Sequence, residues 1–270
     1  MTPPKFGTSR SDYYFDKEKH TISKGLASVK YIGGKAAEEL YEISQKSNYK
    51  TAISLIRDID QNTSVNRRQV EELIQIDFFS DFGNQNELLR IAEYYYDTFK
   101  RGEAKKVAKT IIDGTPIESI VQKYSVGVTK SGGVAKYYTL LDVDSILDEI
   151  EDKVLELKLQ DVSILSKMRH YSEFICDSGF ATGDARDRRK LFVTDVKPLY
   201  RKLDKKQFGM SVYTHSVGSG KDARFTVKQR QYDAKPISKG DIIHCSSFER
   251  NGKFFTMTSW ETIEKADNSS

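Results

Sequence analysis

Apolar positions recur every three to four residues from about Gly25 to Asp187 and every second residue beyond it, so the pattern predicts a helical part followed by a β-rich part. In "KAAEELYEISQK", Ala36, Ala37, Leu40, Tyr41 and Ile43 form one stripe, and in "QVEELIQI", Val70, Leu73 and Ile74 form another. "NELLRIAEYYYDTF" continues as a third helix. Further on, Thr115-Pro116 opens a short helix, and "SILDEIEDKVLELKL" is an amphipathic one whose start is marked by Ser145 and Asp148 as a capping-box pair. After the charged run "RDRRK" come "LFVTDVKPLY", "QFGMSVYTHSV", "ARFTVKQRQY", "GDIIHCSSFE" and "KFFTMTSWETI", β-prone runs separated by turn-rich segments. Five strands in about 75 residues predict a small barrel; a Greek-key barrel of the OB type fits the count and length. An SH3-like barrel or a small sandwich fits the strand count as well.

The fold class expected is therefore α+β and multidomain. Residues 1–24, with Pro3, Pro4 and Gly7, read as an extended arm or linker. Residues 25–100 read as a helical module, 101–187 as a helical connector, 188–264 as the barrel and 265–270 as a tail. A chain of 270 residues suits about two domains with cores of their own.

Charge sharpens the picture. The net charge is only +4, but Lys190 to Ile263 holds 14 Lys/Arg against 7 Asp/Glu, a balance of +7, while Asp142 to Asp161 holds 8 acids against 2 bases. A basic β-rich part is the electrostatic footprint of a polyanion binder, although a basic surface is often merely solvated. No window of 18 apolar residues exists to span a bilayer, and "MTPPKFGTSRSDYYF" lacks the apolar stretch of a secretory signal. With only Cys176 and Cys245, far apart, and four scattered histidines, neither a zinc site nor thiol chemistry assembles, and a cytoplasmic location away from membranes is expected.

Two stretches look built for anions. In "SVKYIGGKAAEEL", Gly33 and Gly34 precede a helix that opens with Lys35, so the turn can approach a phosphate while free helical N–H groups point at it. The plainer reading is a tight corner between helices. In "VNRRQVEELIQIDFFSDFG", Asn66 or Ser64 caps a helix whose first turn holds Arg67 and Arg68. Cations there oppose the macrodipole, a hint that they face an external anion, against the commoner case of a solvated pair. "DVD" at Asp142 to Asp144 and "RDID" at Asp58 and Asp60 read as a cap and as solvated faces. No Ser/His/Asp grouping, P-loop or dinucleotide fingerprint is present.

Gly25 to Phe99 resembles the tandem helix-hairpin-helix region of bacterial and phage family C DNA polymerases, the α subunit of DNA polymerase III. The family pattern G-(L/I)-x-x-I-K-G-V-G-x-x-A is similar to "GLASVKYIGGKAA", and V-N-(R/K)-R-x-L-E-x-L-I-x-x-G-A-F-D to "VNRRQVEELIQIDFFS". The barrel then falls where the family carries its OB domain, and the first 24 residues resemble the segment joining fingers to hairpins. Two departures stand out: Tyr31 replaces the first hairpin glycine and Asp77 that of the second, so the first hairpin is the better DNA contact.

The resemblance implies a DNA-binding part of a replicative polymerase. The hairpins would hold duplex through Lys30, Ile32, Gly33, Gly34, Lys35, Asn66, Arg67 and Arg68. The barrel would hold single-stranded template through Lys202, Lys205, Lys206, Lys221, Arg224, Lys228 and Arg230, with Phe208, Tyr213, Phe225 and Tyr232 as stacking platforms. Nucleotidyl transfer in the family uses palm aspartates holding two Mg2+ ions; those converging carboxylates are not in this sequence, so no catalytic residue, metal or cofactor is expected within it. Partners implied are a palm- and fingers-containing polymerase portion and a clamp or clamp loader. Two other readings stay open: a stand-alone single-stranded-DNA-binding accessory protein, or an RNA-binding OB module.

Overall fold

The computed structural model describes residues 4–17, 20–46, 48–99, 105–128, 133–175, 181, 183–252 and 254–266. The chain divides into two compact units, Met1–Val162 and Ser163–Ser270.

The first unit opens with an antiparallel pair, β1 (Tyr14–Asp16) and β2 (Thr21–Ser23), in the register Phe15↔Ile22. A short turn of helix, Leu26–Ser28, leads to α1 (Gly34–Lys46), α2 (Ala52–Asn62), α3 (Arg67–Gln75) and α4 (Gln85–Thr98). The stripes seen in the sequence face inward: Ala36, Ala37, Leu40 and Ile43 on α1, and Val70, Leu73 and Ile74 on α3, are buried. Helix starts are fixed by side chains. Thr51 caps α2, and Asn66 and Asn84 form capping boxes with Gln69 and Glu87 at α3 and α4.

Two expectations for this unit need correcting. The described residues of the first 24 are not a loose arm. Phe6 packs its ring 5.7 to 6.2 Å from those of Tyr49, Phe78, Phe79 and Phe82, and its amide donates to the Phe78 carbonyl at 2.9 Å. Gly25 lies so close to the backbone of Asp12 that a Cβ would sit 2.4 Å from its carbonyl carbon. The described residues between 105 and 140 are not all helical, as the connector reading expected, although the amphipathic helix it contains does form. β3 (Lys106–Ala108), α5 (Lys109–Ile112), α6 (Glu118–Lys123), β4 (Ser125–Val128) and β5 (Val134–Leu140) form a three-stranded antiparallel sheet, order β3-β5-β4, with two short helices. Alternation decides it: Val107, Tyr138 and Leu140 are buried while Val126 and Tyr137 are exposed.

Helix α7 (Val143–Glu156) follows and packs against α2 and α4. Its cap is Asp142, whose carboxylate accepts from Ser145 N at 3.0 Å, and not Ser145 itself. Glu151 of α7 is 4% exposed and accepts from the amides of Ala52 at 2.9 Å and Ile53 at 2.7 Å, closing the start of α2.

The second unit starts with α8 (Ile164–Phe174), which the sequence had suggested belonged with the connector; its Met168 joins Phe192, Val217 and Ile242 in one buried cluster. Five strands follow: β6 (Lys190–Tyr200), β7 (Gln207–Ser216), β8 (Asp222–Lys228), β9 (Ile242–Asn251) and β10 (Phe254–Glu264), with α9 (Gln229–Ala234) between β8 and β9. Hydrogen bonds close the sheet into a ring, β10-β8-β7-β6-β9. Every pairing is antiparallel except β8 with β10, which is parallel and carries only Phe255↔Phe225 and Thr256↔Thr226. Inside the ring lie Leu191, Val193, Val212, Phe225, Val227, Ile243, Met257 and Trp260. Cys245 is buried there and burial pushes its thiol up; Cys176 lies outside the described residues.

Candidate nucleic-acid interface

At the start of α1 the chain turns tightly: the amide of Val29 donates to Leu26 O and that of Ile32 to Val29 O, both at 3.0 Å. Ile32 is 3% exposed and anchors the turn, so its side chain is core and not a contact. Gly33 and Gly34 then emerge on the surface, and a Cβ at either would meet nothing within 4 Å. Packing within the unit therefore does not require glycine here; what glycine leaves is clear access to the first amides of α1.

The start of α3 lies beside this turn because three bonds hold it. Glu39 of α1 accepts from Ser64 N at 2.6 Å and Ser64 Oγ at 2.7 Å, and Gln69 Nε2 donates to Tyr31 O at 2.7 Å. The bonds from Ser64, and then Lys35 at 3.7 Å, hold the Glu39 carboxyl below its usual range. Asn66 spends its side chain on the cap, accepting from Gln69 N at 3.1 Å.

The two arginines behave differently from the expectation that both face an anion. Arg67 is engaged by Glu71 at 2.7 Å and Asp97 at 2.5 Å, which lift its guanidinium pKa. Arg68 is held by Glu72 at 2.9 Å, yet its side chain keeps 69% of its exposure and its guanidinium sits 4.5 Å from the centre of the Tyr31 ring. Carboxylates four residues on offset the cost of cations in the first helical turn, so the arginines need no outside anion to be stable there. Lys30 approaches the same ring at 4.8 Å. Lys30, Lys35 and Arg68 thus surround an open glycine turn.

In the closed sheet, strand register sorts the expected contacts. Tyr213 and Arg224 are cross-strand partners on the outer face; the guanidinium is 5.4 Å from the ring centre and is steadied by Nε donating to Ser211 Oγ at 2.6 Å. Lys197 reaches the same ring from β6 at 5.4 Å. Phe254, 72% exposed, precedes Phe255, the register partner of Phe225, which extends the row onto β10. Lys197, Tyr213, Arg224 and Phe254 thus make an alternating row of cations and aromatics across four strands. Lys197 and Phe254 were not anticipated, because their alignment with Tyr213 depends on pairing registers that a linear sequence does not display.

Of the expected platforms, Phe225 is core and Tyr232 is half-buried. Phe225 is 5% exposed inside the ring, and Tyr232 packs on the same cluster with its hydroxyl donating to Ile237 O at 3.0 Å. Lys202, Lys205 and Lys206 are exposed in the β6–β7 turn, with Phe208 just beyond. Gly209↔Lys228 pairing brings Lys228, and exposed Arg230 after it, to that same end. Lys221 lies at the opposite end, beside the His215↔Asp222 pair, and stands apart from the group.

Residues 2–89 match the helix-hairpin-helix motif, a span that contains both helix starts described above. The match supports a helix-hairpin-helix module, a motif that suggests nucleic-acid binding, at residues 2–89 of the first unit. No curated protein matches the chain. Among the described residues, no helix is long and apolar enough to cross a membrane, and no group of His, Cys, Asp and Glu is arranged to hold a metal ion.

Proposed function

We propose that the chain is the DNA-binding, C-terminal part of a family C replicative polymerase, gripping duplex with its hairpins and single-stranded template with its closed sheet. The observation that carries the reading is the open Gly33–Gly34 turn, set beside the start of α3 and ringed by Lys30, Lys35 and Arg68, inside the matched motif. Such a turn contacts sugar-phosphate chains through amides and point charges, independent of sequence.

The strand order supports an OB-type barrel for the second unit. Strands one, two and three run as a meander, the third lies parallel to the fifth, a helix joins three to four, and four closes onto one. OB folds bind single strands on the outer face of their second and third strands, which here are β7 and β8 with Tyr213 and Arg224. Nucleotide transfer then belongs to a separate palm-bearing portion with its Mg2+, and clamp or clamp-loader contact to the assembled polymerase. No cofactor is assigned to this chain, and a cytoplasmic location follows from the same role.

Titration of single-stranded and primed duplex DNA at two salt concentrations tests the reading. For about four phosphate contacts, affinity is expected to fall about a hundredfold between roughly 50 and 200 mM salt. Charge reversal at Lys205 and Lys206 should weaken single-strand binding more than duplex binding. Absence of binding at low salt would refute the proposal, and equal losses on both DNAs would refute the division of labour.

A further inference from the structure

Tyr31 has an unusual backbone. Its φ of +67° is a left-handed conformation that L-residues with bulky side chains rarely adopt. The residue is 48% exposed, so no core burial offsets that strain. Around it, Gln69 holds the carbonyl, Arg68 is fixed to buried Glu72 while lying against the ring, and Lys30 reaches the ring on a flexible stem. Strained, exposed residues held from several sides concentrate at binding sites.

Resting on the nucleic-acid reading above, we infer that Tyr31 is a base-stacking residue which makes the hairpin module recognise unpaired nucleotides at gaps and strand ends over uninterrupted duplex. An exposed phenol beside cations offers what a nucleobase needs: a π face to stack on and positive charge for the adjoining phosphate. Within a continuous duplex the base faces are covered by their neighbours, so the ring finds no partner there. At a gap an unstacked base lies on the Tyr31 ring. Lys30 moves from the ring to that nucleotide's phosphate, and Arg68 stays in place through Glu72. The Gly33–Gly34 turn serves any phosphate, paired or not; Tyr31 adds the discrimination.

The test compares the full chain with its Tyr31→Phe and Tyr31→Leu variants on two DNAs, a closed dumbbell duplex without ends and the same dumbbell carrying a gap of a few nucleotides with 2-aminopurine in the unpaired strand. All three proteins keep a side chain at the left-handed position, so the backbone strain is equal, and thermal melts confirm folding. Tyr31→Phe should retain gap affinity and the quenching of 2-aminopurine. Tyr31→Leu should lose about tenfold on the gapped DNA, the scale of one base–aromatic stack, with no loss on the closed dumbbell, and the quenching should diminish. Because the closed sheet also takes single strands, the comparison is repeated with Tyr213→Ala and Phe254→Ala in the background, where the Tyr31 effect should persist. Equal affinities of Tyr31→Leu and the unaltered chain for gapped DNA would overturn the inference while leaving the DNA-binding proposal intact. Failure of the unaltered chain to bind either DNA would overturn both.

Discussion

Single residues in this chain often do a task that their type disfavours, and a neighbour makes it tolerable. Asp77, like Tyr31, has a positive φ, +58°, where the resembling family has glycine; its carboxylate accepts from Gln85 Nε2 at 3.0 Å, and Gln85 also donates to Gln75 O. Both positions thus hold a left-handed backbone with a side chain in place. Glu151 is the buried counterpart. Burial raises its carboxyl above the ordinary range even though two amides favour the anion. The folded chain thus holds this proton more tightly than the unfolded chain. The resulting stabilisation is complete below the ordinary carboxylate pKa and is lost as pH rises through the elevated one. Glu151→Gln cannot ionise, so it should flatten the stability–pH curve just above the ordinary carboxylate pKa of about 4.3, measured by denaturant midpoints. Glu151→Ala should cost about 1 to 3 kcal/mol at any pH, because the opening amides of α2 lose their acceptor.

At the level of elements, glycines differ in what surrounds them. At Gly209 a Cβ would sit 2.3 Å from the Val227 carbonyl oxygen, a backbone atom that cannot yield without parting β7 from β8. Gly209→Ala is expected to destabilise the second unit by about 2 kcal/mol or more in urea unfolding. Gly34→Ala meets open space, so stability should stay within about 0.5 kcal/mol while duplex affinity falls. Helices α1, α3, α4 and α7 were legible because their stripes run over nine or more residues, as in α3 between Asn66 and Ile76, whereas α9 was hidden in a run read as β-prone. The β3-β5-β4 sheet was not legible either: strands of 3, 7 and 4 residues carry too few alternations to compete with the surrounding helical texture. The cationic loop at Lys202, Lys205 and Lys206 could be read from charge alone, but the role of Phe225 could not, since inward and outward faces of a strand differ by one residue of register.

Across the whole molecule, positive charge gathers in basic stretches that the net charge of +4 hides, and each unit has a core of its own. The single tryptophan, Trp260, is buried inside the closed sheet, so its fluorescence reports on the Ser163–Ser270 unit alone. Unfolding followed by Trp260 emission and by far-ultraviolet circular dichroism should give non-coincident transitions, since the dichroism is dominated by the helices of the first unit. A single shared midpoint in both signals would mean the units unfold as one. The ring itself has a weak seam. β8 and β10 meet through two parallel residue pairs, the shortest of its five ladders. Thermal breathing should concentrate at that seam, which can part between Arg224 and Phe254 while the longer ladders stay zipped.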